Sequence, residues 1–366
     1  MCNILDLAKA FDSVDHEILL KKMECYGFRG KTLELFRSYL KSRSQYVKLN
    51  GIKSSLLEIE FGVPQGSILG PLLFLIFIND LPNATNLYIK LFADDTFLCA
   101  QNTNFADLEN EVNTELEKVS IWLASNKLTL NTDKSKYMLV SNKRDSITNM
   151  HVTVNDAVLK SCDSYKYLGV YFDKNLDWSP HIQYISKKIS KACGALAKLR
   201  HCVSLDIRKN VYHALVYSYL RYGIVAWGGA SQSVLEPLQI LTNKIIRIMD
   251  FLPPGNIDLI SAYRELKLLQ IKKIHELEVG KLIFKEKNGL MPTEIANYFE
   301  IDSNVRPHCH FVRHERAPRF ICRSKIGEKS LQFTGMHFWN SIPPEIKTSE
   351  SYNIFKKSYK KHLIDH

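Results

Sequence analysis

The chain has 366 residues, 45% of them hydrophobic, enough apolar side chain for two or three domains with real cores. Its formal charge of +11 fits a polyanionic partner. Eight cysteines without paired spacing argue against a disulfide framework, and the longest apolar stretch, residues 71–78, is too short to span a bilayer, so no membrane partner is expected.

The first residues lead at once into a buried-strand pattern at 4–7, with no scaffold ahead of it. A segment upstream is therefore expected. Asp15 is placed to cap a helix over 16–26. Gly27 and Gly30 break it, and a second helix runs to about Leu40. Residues 45–49 and 56–61 read as a hairpin around Asn50-Gly51, a pair suited to a tight two-residue turn. An apolar helix follows over 67–79. Residues 88–92 and 96–101 run apolar on both sides of Asp94-Asp95, as a hairpin would.

Phe105, Leu108, Val112, Leu116, Val119 and Leu123 recur at three- and four-residue steps, which predicts an amphipathic helix over 104–124. Residues 128–130 and 137–141 flank a turn at Asn131-Thr132-Asp133. Residues 152–154 and 167–172 supply further strands. The pattern is helical over 181–249, with Gly223, Gly228 and Gly229 as breaks. Residues 181–250 hold ten Lys and Arg against three acids, a local excess of seven out of the chain's eleven. A solvated helical face accounts for this as well as a polyanion site does. Pro253-Pro254-Gly255 is a linker candidate. Helix continues to about 297, becomes less regular to 344, and ends in a basic helix. No signal peptide leads the chain, so a reducing, intracellular setting (nucleus or cytoplasm) is expected.

Two adjacent acids between apolar strands are costly unless the turn is exposed or a cation neutralises them. Asp94-Asp95 stands in that position, and Asp6 follows another short apolar strand. If the two strands lie side by side, Asp6 and Asp94 converge on hard cations. Mg²⁺ prefers a few carboxylates and keeps its other sites for water and phosphate. Read alone, Asp-Asp is more readily an ordinary acidic turn.

The motifs taken together decide this. The run from Leu5 through Asp6 and Phe11 to His16 resembles motif A of non-LTR retrotransposon reverse transcriptases. Gly62-Val63-Pro64-Gln65-Gly66-Ser67-Ile68-Leu69-Gly70-Pro71 resembles motif B, and Phe92-Ala93-Asp94-Asp95 resembles motif C. Leu128-Thr129-Leu130-Asn131-Thr132-Asp133-Lys134-Ser135-Lys136 looks like motif D. Tyr167-Leu168-Gly169-Val170 looks like motif E, the primer grip. All five occur in order, and the segment from Tyr39 to Val47 looks typical of the jockey-like lineage.

The resemblance implies roles. Asp6, Asp94 and Asp95, with the Leu7 backbone carbonyl, would hold two Mg²⁺ ions, with Mn²⁺ as a substitute. Asp12 and Asp15 are read as capping or surface acids instead. Phe11 stands at the steric-gate position, where a ring clashes with a 2′-hydroxyl and selects dNTPs; outside the motif it reads as a core phenylalanine. Pro64, Gln65 and Gly66 would line the nucleotide and template, and Leu168 and Gly169 the primer. Lys134 would protonate the leaving pyrophosphate or hold its charge, with Lys136 as the neighbouring alternative. Lys187, Lys188, Lys191, Lys198 and Arg200 would grip an RNA template and DNA primer through their phosphates. Tyr212, Tyr217, Tyr219, Tyr222 and Trp227 are candidates for stacking on bases, though their spacing favours core packing. His308, Cys309, His310, His314 and Cys322 have no zinc-like spacing. The segment around Trp339 looks like the region that follows the polymerase in jockey-like elements.

The implied architecture is α+β: a right-hand polymerase palm with an antiparallel sheet over 1–178, a helical thumb over 179–250, and a mostly α region over 251–366. The fingers subdomain that precedes motif A is expected to be largely missing. The implied function is an RNA-directed DNA polymerase. The alternative is a retrotransposon remnant, inactive or co-opted, that only binds nucleic acid.

Overall fold

The computed structural model describes residues 1–141, 150–155, 157–252, 259–296, 327 and 330–366. It divides into two units, Met1–Ser164 and Tyr165–His366, each built around its own apolar core.

In the first unit β1 (Cys2–Leu5) leads to α1 (His16–Cys25) and α2 (Gly30–Leu40). The Asp15 carboxylate accepts from the Glu17 and Ile18 amides and caps α1, as its position in the sequence predicts. Four two-residue strands follow: β2 (Ser44–Gln45), β3 (Lys48–Leu49), β4 (Ile52–Lys53) and β5 (Leu57–Glu58). β3 pairs with β4 around Asn50 and Gly51, both at positive φ, and β2 pairs with β5 at the base of the same projection. Next come α3 (Leu69–Ile78), β6 (Tyr88–Phe92), β7 (Asp95–Cys99) and α4 (Phe105–Ser125). β8 (Lys136–Met138), β9 (Thr153–Val154), β10 (Ala157–Val158) and β11 (Lys160–Ser161) complete the unit.

One five-stranded sheet organises these elements, in the order β11-β8-β1-β7-β6. Its pairings are antiparallel except for β11 on β8. Strand side chains alternate between the two faces. Leu5 and Leu98 turn into the core formed with α1, α3 and α4, where Leu19, Phe74 and Leu116 are fully buried. Asp95, Phe97 and Cys99 therefore fall on the opposite face, with Cys2 and Ile4 opposite them on β1. That face carries the chemistry described below.

The second unit opens on a hairpin, β12 (Ser164–Tyr167) and β13 (Val170–Asp173). The sequence reading put one strand over 167–172. Instead Leu168 and Gly169 take φ of 46° and 83°, the left-handed pair of a two-residue turn, and the chain reverses there. α5 (Ser179–Leu199) buries Ile182, Ile185, Ile189 and Leu196, the apolar stripe of an amphipathic helix. α6 (Leu205–Tyr212) runs through a π-helical turn, His213–Tyr217, into α7 (Ser218–Arg221) and, after Gly223, α8 (Ile224–Trp227). α9 (Gln232–Met249) packs against α5 through Leu238, Ile245 and Ile246.

α10 (Leu259–Leu266), α11 (Ile271–Lys287) and the helices Leu331–Ser341 and Tyr352–Asp365 join the same core. Phe284 stacks on Phe355 with ring centroids 4.3 Å apart. A Cβ on Gly280 would meet the Tyr359 ring at 2.5 Å, so glycine sets how closely the last helix approaches α11. The Pro253-Pro254-Gly255 linker and the His308–Cys322 group lie outside the described residues. Among the described residues, no helix is long and apolar enough to cross a membrane.

Candidate active site

Motifs A, B, C and D come together in the first unit. Leu5 pairs with Thr96 across β1 and β7, so Asp6 and Asp95 are the next pair along. The even positions 2, 4 and 6 share a face, which puts the Asp6 carboxylate on the same side as that of Asp95. Phe92 pairs with Asp95, leaving Ala93-Asp94 as a two-residue loop that carries Asp94 beyond the strand ends. Ala93 takes φ 51°, a conformation glycine adopts more easily. Burial, and then the nearby Asp94 and Asp6 carboxylates, push the Asp95 carboxyl above its usual range.

The backbone around Asp6 is fixed by motif D. The Asp6 amide donates to Ser135 Oγ at 3.1 Å, and its carbonyl accepts from the Asn131 amide at 2.8 Å. Leu7 bridges Leu130, and the Ala8 amide donates to the Thr129 carbonyl at 2.8 Å. Lys134 Nζ lies 3.8 Å from Asp6 Oδ2. Lys136 instead sits in β8 opposite Ile4. Ser135 is fully buried and was not singled out in the sequence, where a serine between two lysines carries no visible signal.

Motif B is tied to motif A. The Gly62 amide donates to the Val14 carbonyl and the Val63 amide to the Phe11 carbonyl, both at 2.8 Å. His16 Nε2 donates to the Gly62 carbonyl at 2.8 Å. Gly62 has φ 89°, and a Cβ there would meet Asp12 Cα at 2.8 Å, so no other residue fits this approach. Gln65 Nε2 donates to the Asp12 carboxylate at 2.8 Å. Asp12 is thus a surface acid, as the sequence suggests, and one that orients Gln65. Pro64 is half-buried, while Gln65 and Gly66 are exposed on the loop. Phe11 is half-buried, its ring stacked on Phe74 at 4.5 Å between centroids.

Residues 1–172 match the family described as reverse transcriptase (RNA-dependent DNA polymerase). This region is a reverse transcriptase domain. The RNA-directed DNA polymerase from mobile element jockey of Drosophila melanogaster is 30% identical over 255 residues, 66% of this chain and 27% of that protein. The jockey polymerase of Drosophila funebris is 31% identical, over 66% and 27%. The chain thus spans about a quarter of the length of these relatives. A telomerase from Candida albicans, solved with a fragment of telomeric RNA, aligns with a TM-score of 0.41 and 14% identity over 81% of this chain and 50% of that one. That likeness is too loose to bear on the fold.

The remaining residues singled out from the sequence lie in the second unit. Leu168 and Gly169 form the tip of the β12–β13 turn, and Tyr222 Oη donates to the Leu168 carbonyl at 2.6 Å. Lys187, Lys188, Lys191 and Lys198 are exposed on α5, a helix without a single acid. Lys187, Lys191 and Lys198 fall on one stripe of it, because 3.6 residues make a turn. Arg200 does not join them: its guanidinium lies over the Phe251 ring, 4.7 Å from the centroid, a ring that Arg208 also approaches at 4.5 Å. Of the aromatic run, Tyr212 and Trp227 are fully buried, and only Tyr222 is mostly exposed.

Proposed function

We propose that the reverse transcriptase domain of this chain adds dNTPs to a primer 3′-hydroxyl on an RNA template by two-metal phosphoryl transfer. The observation that carries this reading is the placement of Asp6 and Asp95 as neighbours on one face of the sheet, with Asp94 at the adjoining tip and Lys134 within 3.8 Å of Asp6.

The donor set suits a hard divalent cation. Three half-buried carboxylates crowd one another, and Lys134 pairs with Asp6 only from the solvent side. Among the described residues no three acid, histidine or cysteine side chains close into a metal cage. Mg²⁺ does not require one, since it binds one or two carboxylates plus substrate phosphates and keeps several waters. Asp6, Asp94 and Asp95, with the Leu7 carbonyl, would hold two Mg²⁺ ions, and Mn²⁺ would substitute. Held there, the ions would supply activation of the 3′-hydroxyl and charge stabilisation for the leaving pyrophosphate.

The chain's own groups do the rest. Phe11 blocks a 2′-hydroxyl on the incoming sugar. Gln65, held by Asp12, orients the nucleotide against the template, with Pro64 and Gly66 shaping the loop. Lys134 gives its proton to the departing pyrophosphate. Leu168 and Gly169 support the primer, and the exposed lysines of α5 hold duplex phosphates without reading sequence. In this scheme 1–178 is the palm, 179–250 the thumb and 251–366 a mostly α extension.

The test is primer extension on poly(rA)/oligo(dT) with Mg²⁺ and labelled dTTP, beside Asp94→Asn. Incorporation that the substitution abolishes supports the polymerase. Salt-sensitive duplex binding by a folded chain, with no incorporation and no effect of Asp94→Asn, would leave a nucleic-acid-binding remnant.

A further inference from the structure

Across the same sheet face, on β1 and β7, stand two cysteines that the polymerase reading does not use. Cys2 and Cys99 are direct cross-strand partners, and their Sγ atoms lie 3.3 Å apart. Both are free thiols and both are half-buried, open enough for a small reagent. The next pair outward, Met1 and Ala100, exchanges both backbone hydrogen bonds, at 2.6 and 3.0 Å. Antiparallel pairs alternate, so Cys2 and Cys99 occupy a non-hydrogen-bonded site, where Cα atoms approach to about 4.5 Å. Disulfides span Cα separations of about 4.4–6.8 Å. The backbone therefore already holds the two residues at bonding separation, and only the side chains must turn.

We propose that Cys2 and Cys99 form a redox-active dithiol, which a hydroperoxide converts to a disulfide joining β1 to β7. One sulfur of the pair attacks a peroxide oxygen, the O–O bond breaks, and water leaves with the thiol proton, giving a sulfenic acid. The partner sulfur then attacks the oxidised one, the S–O bond breaks, and a second water leaves with the partner's proton. Two thiols and one hydrogen peroxide thus become one disulfide and two waters.

The shared contact favours ionisation of one thiol of the pair at the expense of the other, while burial disfavours both. The sulfur that loses its proton meets the oxidant, and its partner resolves it. Cys162, the nearest other thiol in the sheet, is pushed up by burial and hydrogen-bonds to the Tyr137 carbonyl. That leaves it a poor competitor. The bond would staple the strand that leads into Asp6 to the strand that begins at Asp95. The proposal does not depend on whether the chain polymerises DNA.

The experiment uses the whole folded chain. Reduced protein is exposed to dilute hydrogen peroxide, remaining thiols are alkylated, and the protein is digested without reductant for mass spectrometry. The expected product is a Cys2 peptide linked to a Cys99 peptide, lighter by two hydrogens than the sum of its parts. Dithiothreitol should release it, and Cys99→Ser should lack it. Oxidised wild type should also melt at a higher temperature than reduced wild type. Recovery of Cys2 and Cys99 as separate alkylated or sulfinic peptides, or linkage of Cys2 to Cys162 instead, would overturn the proposal.

Discussion

Lys134 of motif D and Asp6 of motif A meet at 3.8 Å between Nζ and Oδ2. The lysine side chain is 71% exposed, so the pair contributes little to stability. What matters is position: the ammonium stands beside the carboxylates, where the pyrophosphate would depart. Lys134→Ala should slow single-turnover dNTP incorporation by about 10²-fold or more, the scale of a lost general acid. Its urea midpoint should match that of wild type. An unchanged incorporation rate would remove Lys134 from the mechanism, and a large loss of stability would make it a structural residue.

Gly62 and Gly66 both sit at positive φ, but their surroundings differ. A Cβ on Gly62 would run into Asp12 backbone at 2.8 Å, whereas nothing lies within 4 Å of one on Gly66. Gly66→Ala should cost only the conformational penalty, about 1–2 kcal/mol. Gly62→Ala should cost clearly more, because the strand entering motif B must pull away from motif A. Urea denaturation of the two variants ranks them. Equal losses would mean that the Gly62–Asp12 approach is not constrained.

This contrast shows what the sequence discloses and what it withholds. The motif string singles out Asp6, Asp94, Asp95 and Lys134, which the fold brings together, and turn chemistry marks Asn50-Gly51 and the Asp15 cap. Those signals are local or depend on fixed spacing. The Asp12–Gln65 hydrogen bond and the burial of Ser135 under Asp6 depend on which strands meet, and no local pattern encodes that. In the sequence the turn at Leu168-Gly169 reads as strand, because leucine seldom takes a left-handed conformation and only one residue of the pair gives a turn signal. Arg200 was grouped with the α5 lysines by charge, and a ring more than fifty residues later in the chain, Phe251, turns it away.

Phe11 of motif A stacks on Phe74 of α3, with 26° between the ring planes. The contact holds the ring in one place, as selection by steric exclusion requires. Phe11→Val should raise rUTP incorporation relative to dTTP, with a much smaller change in dTTP incorporation alone. Competition between the two nucleotides on the same primer measures it. An unaltered ratio would return Phe11 to a packing role.

Glu115 anchors the turn before β6. Its carboxylate accepts from the Asn86 amide at 2.6 Å and the Thr85 hydroxyl at 2.9 Å, and it pairs with Lys118. Burial alone would raise its pKa, but the Lys118, Asn86 and Thr85 hydrogen bonds outweigh it and bring it to about 2. An unfolded glutamate titrates near 4.3. The folded value is the lower one, so the native state binds fewer protons. The contribution is complete above about pH 4.3 and is lost as pH falls from there toward 2. Glu115→Gln should therefore be less stable than wild type at pH 7, and the gap should shrink in acid. A gap that is constant with pH would show that the charge is not what anchors the turn.

Asn3 is fully buried in the central strand, and both atoms of its side-chain amide lack a partner among the described residues. Its cross-strand neighbours are Leu98, which offers no hydrogen bond, and Tyr137, whose hydroxyl donates to the Met150 carbonyl instead. An unsatisfied buried polar group costs about 1–3 kcal/mol. Valine is of similar size, suits a strand and carries nothing to satisfy. Asn3→Val should therefore stabilise the first unit by about 1 kcal/mol or more, read as a higher urea midpoint at unchanged slope. Because Asn3 points to the core face, away from Asp6 and Asp95, primer extension should be unaffected. A lower midpoint would mean that the amide has a hydrogen-bond partner after all, and that the core face of β1 is held by polar contact as well as by packing.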